Sequence, residues 1–447
     1  MTRVYKRIMQ RLIITIIIIL TFIDCKSQDD NTWLRYLTVD EAGFSIDKLQ
    51  NAKDFFDSTS AVSMMLIKNG YVVTSWGNIE RRYKCHSVRK SLLNSLYGVQ
   101  IKNNVIDISK TIGDLDIKEK IELTEQEKSA KIKHLLSTRS GVYLDAALQP
   151  DVGDCPERGK FKPDENQYYN NWDFNVLGTI YNKETQSDIF IDFKKYIAVP
   201  LGMEDYREFD GTYEYENISL HPGYPIKMST RDLAKFGQLY LQMGNWKGKQ
   251  IFDTTWIEQS MTPYTRADNM GNAATGYGYL WWIQERQNEP KRYFAHGWGE
   301  QYLGVFPNEN IVIVIRSDSY SGNYFIEEHR EKLIKLLLES NQTDSKKSPK
   351  LVTLETCSNK LNGINLSKSQ LTKYVDSFKI EQNNIPETNS EFRIKMANNM
   401  LIIEGLHYAY KFGIIPLTEN RFFIEDIELF LEFEQDGDIL SPKISTY

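Results

Sequence analysis

The sequence predicts an α+β fold: an antiparallel sheet flanked by helices, a helical subdomain beside it, and a small all-β domain after it. Three observations point there. Strand-like runs stand at both ends of the segment from about 30 to 340, while its middle is helical. An amphipathic run, "FIEEHREKLIKLLLES", closes that segment. The last stretch of chain carries short apolar runs at close spacing with turn residues between them, the pattern of a small barrel or sandwich.

Taken in order, residues 26–45 read as an extended lead-in, and "FSIDKLQNAKDFFDS" as a helix capped by Ser45. "AVSMMLIKNGYVVTSWGN" holds two β-rich runs around Asn69-Gly70, a strong hairpin signal. A helix beginning near Ser87 follows, then short helices with polar connections from about 105 to 275. "GYGYLWWIQE", "RYFAHGWGEQYLGVFP" and "ENIVIVIRSDS" read as three successive strands. One sheet assembled from both ends of the segment, with a helical insertion, accounts for this order. Expected boundaries are 1–25, 26–340, a polar linker "NQTDSKKSPK" at 341–350, and 351–447.

Composition narrows the function classes. The chain of 447 residues has a net charge of -6 and no basic run beyond its N-terminal end, which argues against nucleic acid. Arg3, Lys6, Arg7 and Arg11 precede the apolar run Leu12–Ile23. A charged start with a short apolar run is the pattern of an export signal; a permanent span wants ~20 apolar residues. Cys25 and the polar tether after it resemble a bacterial lipoprotein processing site, although Asp24 stands where that site has a small residue. Two expectations therefore stand side by side: an exported periplasmic protein, or one held at the membrane through a lipidated Cys25. Cys85, Cys155 and Cys357 are far apart and without CxxC spacing, which speaks against a disulfide framework or a zinc site. No cofactor or metal is expected.

Neither HExxH nor GxSxG occurs, and the six histidines do not pair at ligand spacing. The stretch "HSVRKSLLNSLYG" is more informative. Ser87 and Lys90 are three apart and share a helix face, and a lysine among apolar residues needs a reason to be there. At a helix start, Ser87 meets the positive end of the dipole and unpaired backbone N–H groups. Its own N–H can then help hold an oxyanion. A desolvated Lys90 can take the hydroxyl proton. The bland reading makes Ser87 an N-cap and Lys90 a snorkelling surface residue. "YYNNWDFNVLG" adds Tyr169, a phenol that an adjacent ammonium would acidify into a base, and Asn171, which can orient the lysine or a substrate amide. "FAHGWGEQYLGVFP" places His296 at the edge of a glycine-rich strand.

The order SVRK, YNN, HGWG resembles the serine β-lactamase and penicillin-binding-protein superfamily. The likeness is to the class C-like branch that also holds esterases, D-aminopeptidases and 6-aminohexanoate-dimer hydrolases. "IKHLLSTRSGV", "IAVPLGMEDY", "MSTRDLAKFGQLYLQMG" and "GYGYLWW" resemble further landmarks of that family, over about 45–335. The tail resembles a lipocalin-like β domain. The resemblance implies that Ser87 is acylated, that Lys90 and Tyr169 carry its proton traffic, and that Asn171 and His296 contact substrate. It also implies a second oxyanion donor from the backbone at Trp298 or Gly299. Tryptophan stands at 298 where the family's third motif has glycine.

The expected activity is an exported serine hydrolase that cleaves a small ester, amide or peptide through an acyl-enzyme. The alternative is a non-catalytic, penicillin-binding-like ligand-binding protein of the same fold. A thiol site at Cys85 with His86 is a third reading, weakened because adjacent residues point apart. Trp172, Tyr277, Tyr279 and Trp298 are candidates for an aromatic cleft, or for core.

Overall fold

The computed structural model describes residues 32–446 apart from short stretches at 150–153, 267–272, 323–324, 356–360, 362, 381–384, 386–387, 398–399 and 437–438. The expected signal segment, Cys25 and Cys357 lie outside the described residues.

A ten-stranded sheet forms the body of the molecule. Its N-terminal strands are β1 (Leu34–Tyr36), β2 (Ala61–Lys68) and β3 (Tyr71–Gly77). Two-stranded ribbons outside it come from β4 (Arg82–Lys84) with β5 (Lys227–Ser229), and from β6 (Asn245–Trp246) with β7 (Lys249–Gln250). The main sheet is completed by β8 (Thr265–Arg266), β9 (Gly276–Tyr277), β10 (Trp282–Gln284), β11 (Arg292–Gly297), β12 (Gln301–Phe306), β13 (Ile311–Ser317) and β14 (Leu351–Thr353). Its order is β14-β1-β3-β2-β13-β12-β11-β10-β9-β8, so both ends of the segment do meet in one sheet. Asn69 and Gly70 turn the β2–β3 hairpin with φ of 54° and 83°, the left-handed backbone that Asn-Gly supplies most readily.

Side chains alternate across this sheet, and each face buries a different set of helices. Met65, Ile67, Leu303 and Val314 face a core with the helices α2 (Val88–Lys102), α3 (Asn171–Thr185) and α4 (Thr230–Leu241). Met64, Leu66, Phe294, Tyr302 and Ile315 face the other way, onto α1 (Ile46–Asp57) and α5 (Glu327–Glu339). Ser45 caps α1 by accepting from the Lys48 N–H. Val88 to Gln100 are all buried, so α2 is a core helix with no solvent-exposed face over that span.

Two expectations change. The run "RYFAHGWGEQYLGVFP" is two strands with a turn at 298–300, and "GYGYLWWIQE" breaks between β9 and β10. The segment 341–350 is packed rather than free: the Gln342 and Thr343 N–H groups donate to the Gly43 carbonyl. Leu351–Thr353 pairs antiparallel with β1. The large sheet therefore annexes the first strand of the expected β domain, because an exposed edge strand gains by being paired.

The all-β unit is a seven-stranded up-and-down sheet. It runs through β15 (Ser377–Lys379), β16 (Glu391–Ala397), β17 (Met400–His407), β18 (Tyr410–Pro416), β19 (Arg421–Ile424), β20 (Leu429–Asp436) and β21 (Ile439–Thr446). Its two edge strands approach one another, so it is nearly a closed barrel. It docks on the β4–β5 ribbon through buried charge. Asp426, after β19, meets Arg82 Nη2 at 2.7 Å, Lys227 Nζ at 2.6 Å and Arg207 Nη2 at 3.1 Å. Asp210 adds contacts to Lys227 at 3.3 Å and Arg207 at 2.8 Å. Burial alone would raise the Asp426 carboxyl, but Arg82, Lys227 and Arg207 pull it well below the carboxylate range. The strand thus clamped, β4, runs directly into the Ser87 turn.

Candidate active site

Three residues separate β4 from α2, and their conformation presents the serine. The Cys85 N–H donates to the Ile226 carbonyl, which prolongs the ribbon. His86 then adopts a left-handed φ of 47°, strained for a residue with a Cβ and of a kind that gathers at functional sites. Ser87 follows at φ -69° and ψ -12°, and its side chain makes no capping hydrogen bond. That removes the bland N-cap reading.

The Ser87 hydroxyl is instead joined to Lys90. Lys90 Nζ lies 2.8 Å from Ser87 Oγ and 2.7 Å from Tyr169 Oη. The amine is 2 % exposed and sits 4.3 Å from the centre of the Phe174 ring. Burial, reinforced by the Arg89 cation, holds its pKa well below the usual lysine range. The phenol departs from the sequence-based expectation. Burial pushes Tyr169 up to about 12, against a lowering hydrogen bond from Ser87. The lowered lysine and the raised phenol point to the Lys90 amine, rather than the phenol, as the proton acceptor. Trp282 stacks on Tyr169 at 5.3 Å and Tyr277 meets it edge-on at 5.9 Å, which fixes the ring.

Other candidate residues fall elsewhere. Asn171 does not reach Lys90: its Nδ2 donates to the Leu148 carbonyl and its N–H to Gln149 Oε1 at 2.9 Å, so it anchors the 148–149 loop. His296 pairs across the sheet with Tyr302, on the face opposite Gly297 by strand alternation. Its Nε2 lies 3.1 Å from Glu300 Oε1, and no hydrogen bond joins it to Ser87, Lys90 or Tyr169. Trp298 stands 64 % exposed in the β11–β12 turn, and Gly299 follows at φ 71°. Trp172, Tyr277 and Tyr279 are core. Cys85 is buried with its thiol pushed up, and burial with Lys84 nearby takes His86 down to about 3. An inert thiol beside a neutral imidazole does not make a nucleophile.

Gly297 was missed, and it is the strand residue that touches the nucleophile's backbone. A Cβ built there collides with the Cys85 carbonyl and stands 3.0 Å from Ser87 N. Gly297→Ala is expected to push β11 off the serine turn and slow acylation about 100-fold. Overpacking should also cost about 1–3 kcal/mol of stability. Labelling rates and thermal melts check this; a variant that acylates at the parent rate removes Gly297 from the site. The glycine after His296 in "HGWG" was the only signal in the sequence. Phe174 gave none.

Among the described residues no group of His, Cys, Asp or Glu is placed to hold a metal ion.

The chain matches the Beta-lactamase family model over residues 60–335. No curated protein matches it. Among solved structures it is similar to the octameric penicillin-binding protein homologue from Pyrococcus abyssi, at 18% identity and a TM-score of 0.50, covering 89% of this chain and 97% of that one. A β-lactamase/D-alanine carboxypeptidase from Pseudomonas syringae gives 14%, 0.51, 66% and 98% in the same terms. A Bacillus anthracis protein assigned as a 6-aminohexanoate-dimer hydrolase gives 19%, 0.50, 69% and 90%. At such identities the likeness speaks for the fold alone. The family match carries more: it spans well over half of the chain and includes the serine turn, Tyr169 just before α3, and the β11–β12 hairpin. On that ground this chain belongs to the β-lactamase family.

Proposed function

We propose that the protein is a serine hydrolase that cleaves an ester or amide through an acyl-enzyme on Ser87. The supporting observation is the Lys90 amine, buried, with its pKa held well below the usual lysine range, and within hydrogen-bonding distance of both Ser87 Oγ and Tyr169 Oη. Lys90 takes the hydroxyl proton as Oγ bonds to the substrate carbonyl carbon. The carbonyl oxygen becomes an oxyanion, for which the Ser87 N–H at the helix start is one donor and the backbone after Gly297 offers the second. Collapse breaks the C–N or C–O bond. Tyr169 gives its phenolic proton to the leaving group and recovers one from the Lys90 ammonium. Water repeats the sequence on the acyl-enzyme, with the proton passing back to Ser87. Substrates that fit this chemistry are small esters, amides and peptides.

The experiment is to expose the full chain to a fluorophosphonate and to a labelled penicillin, then locate the adduct by mass. A label on Ser87 supports the enzyme. No label from either, with no turnover of p-nitrophenyl esters, favours a ligand-binding protein of this fold.

The acid-base assignment predicts a pH profile. Acylation should rise with pH as Lys90 loses its proton, with a midpoint well below the ordinary lysine value of about 10.4. Tyr169 should impose no descending limb below about 12. A limb near the ordinary lysine value, read from kcat/KM against pH, would overturn the neutral-amine assignment.

A further inference from the structure

We propose that Glu300 is a positioning residue: it clamps the β11–β12 turn in the shape that sets Gly297 against the Ser87 backbone. The inference rests on the hydrolase reading above. Glu300 has a left-handed φ of 64° directly after Gly299 at 71°. A side chain is disfavoured in that backbone, where glycine is the undemanding choice. Its contacts compensate. The Glu300 carboxylate meets His296 Nε2 at 3.1 Å and pairs with the Arg330 guanidinium. Arg330 comes from α5, is fully buried, and is itself held by Glu331 at 2.9 Å and Glu327 at 3.6 Å. Its guanidinium also lies 5.4 Å from the centre of the Tyr302 ring.

The clamp therefore ties both strands flanking the turn to one helix. His296 is the last residue but one of β11, Glu300 immediately precedes β12, and Tyr302 lies within β12. The Gly299 carbonyl is gripped independently by Ser317 Oγ from β13. Glu300 and Tyr302 face Arg330 on α5, while the neighbouring Gly297 faces Cys85 and Ser87. A turn held from behind presents its backbone in front. This also gives His296 a use after its absence from the Lys90 network: it is one jaw of the clamp.

Two variants test the idea. Glu300→Gly frees the left-handed position and removes the clamp, leaving the buried Arg330 guanidinium with Glu331 and Glu327, so Tm should fall. The acylation rate constant of Ser87 by a p-nitrophenyl ester should fall 10- to 100-fold, with the loss in kcat rather than KM. Glu300→Gln keeps an acceptor for Arg330 and should recover part of that loss. A Glu300→Gly protein that acylates at the parent rate overturns the clamp, as does one whose loss lies only in KM. If the parent protein itself takes no label on Ser87, the hydrolase reading fails first, and that result is separate from any difference between the variants.

Discussion

Replacing Ser87 by alanine is expected to lower kcat on the order of 10⁶-fold while leaving the fold intact. That factor corresponds to about 8 kcal/mol of barrier, larger than any other single change here should produce. The reason lies in how little else the hydroxyl does. It caps nothing, and its hydrogen bonds stay within the site, to Lys90 and Tyr169. In Ser87→Ala the amine keeps Tyr169 as a partner at 2.7 Å, so stability should shift by no more than about 0.5 kcal/mol. The pairing of an extinguished rate with an unchanged melt is the diagnostic result. Adding Lys90→Ala to Ser87→Ala should cost little more, because groups acting as one unit are not additive. Turnover in Ser87→Ala within tenfold of the parent would mean that the nucleophile is another residue.

The legible part of this molecule was what local chemistry dictates. Asn69-Gly70 announced a hairpin, and Ser87 with Lys90 announced a shared helix face; both follow from neighbours in sequence. Tyr169 lies far along the chain, and its partnership with Lys90 came from resemblance rather than from spacing. The misplaced residues share a cause. His296 sits one position from Gly297, and one position on a strand is the difference between the face toward Ser87 and the face toward α5. Periodicity says that neighbours point apart; it does not say which one faces the site. The Tyr169 pKa failed for another reason. An ammonium beside it would have lowered the phenol, but complete burial lowers the lysine's pKa and raises the phenol's instead. Whether a lysine carries its charge depends on packing that no short motif encodes.

The docking charges were invisible because positions 82, 207, 210, 227 and 426 have no sequence relation, yet they lead to the largest expected effect on stability. Asp426→Ala should destabilise the protein by about 3–5 kcal/mol. The carboxylate is 1 % exposed and touches three cations, of which Lys227 is fully buried. Removing it leaves those cations with Asp210 and the partly exposed Glu425, 2.6 Å from Arg82. Desolvated charge without enough counter-charge is among the few single changes that cost this much. Asp426→Asn, which keeps the shape, should lose most of the same amount, whereas loss of packing alone would spare it. The pH dependence follows from the depressed carboxyl. Its contribution is complete above the unfolded value of about 3.9 and fades as pH falls below that toward the folded value. The stability gap between parent and Asp426→Asn should thus be constant from pH 5 upward to about 8 and narrow by about 1.4 kcal/mol per unit below about pH 4. Because Arg82 is on β4, which delivers Ser87, the same variants should acylate more slowly even where they remain folded. Calorimetry across pH with labelling rates on the same samples reads both effects. A variant that melts like the parent at pH 7 would show that the barrel docks by some other contact.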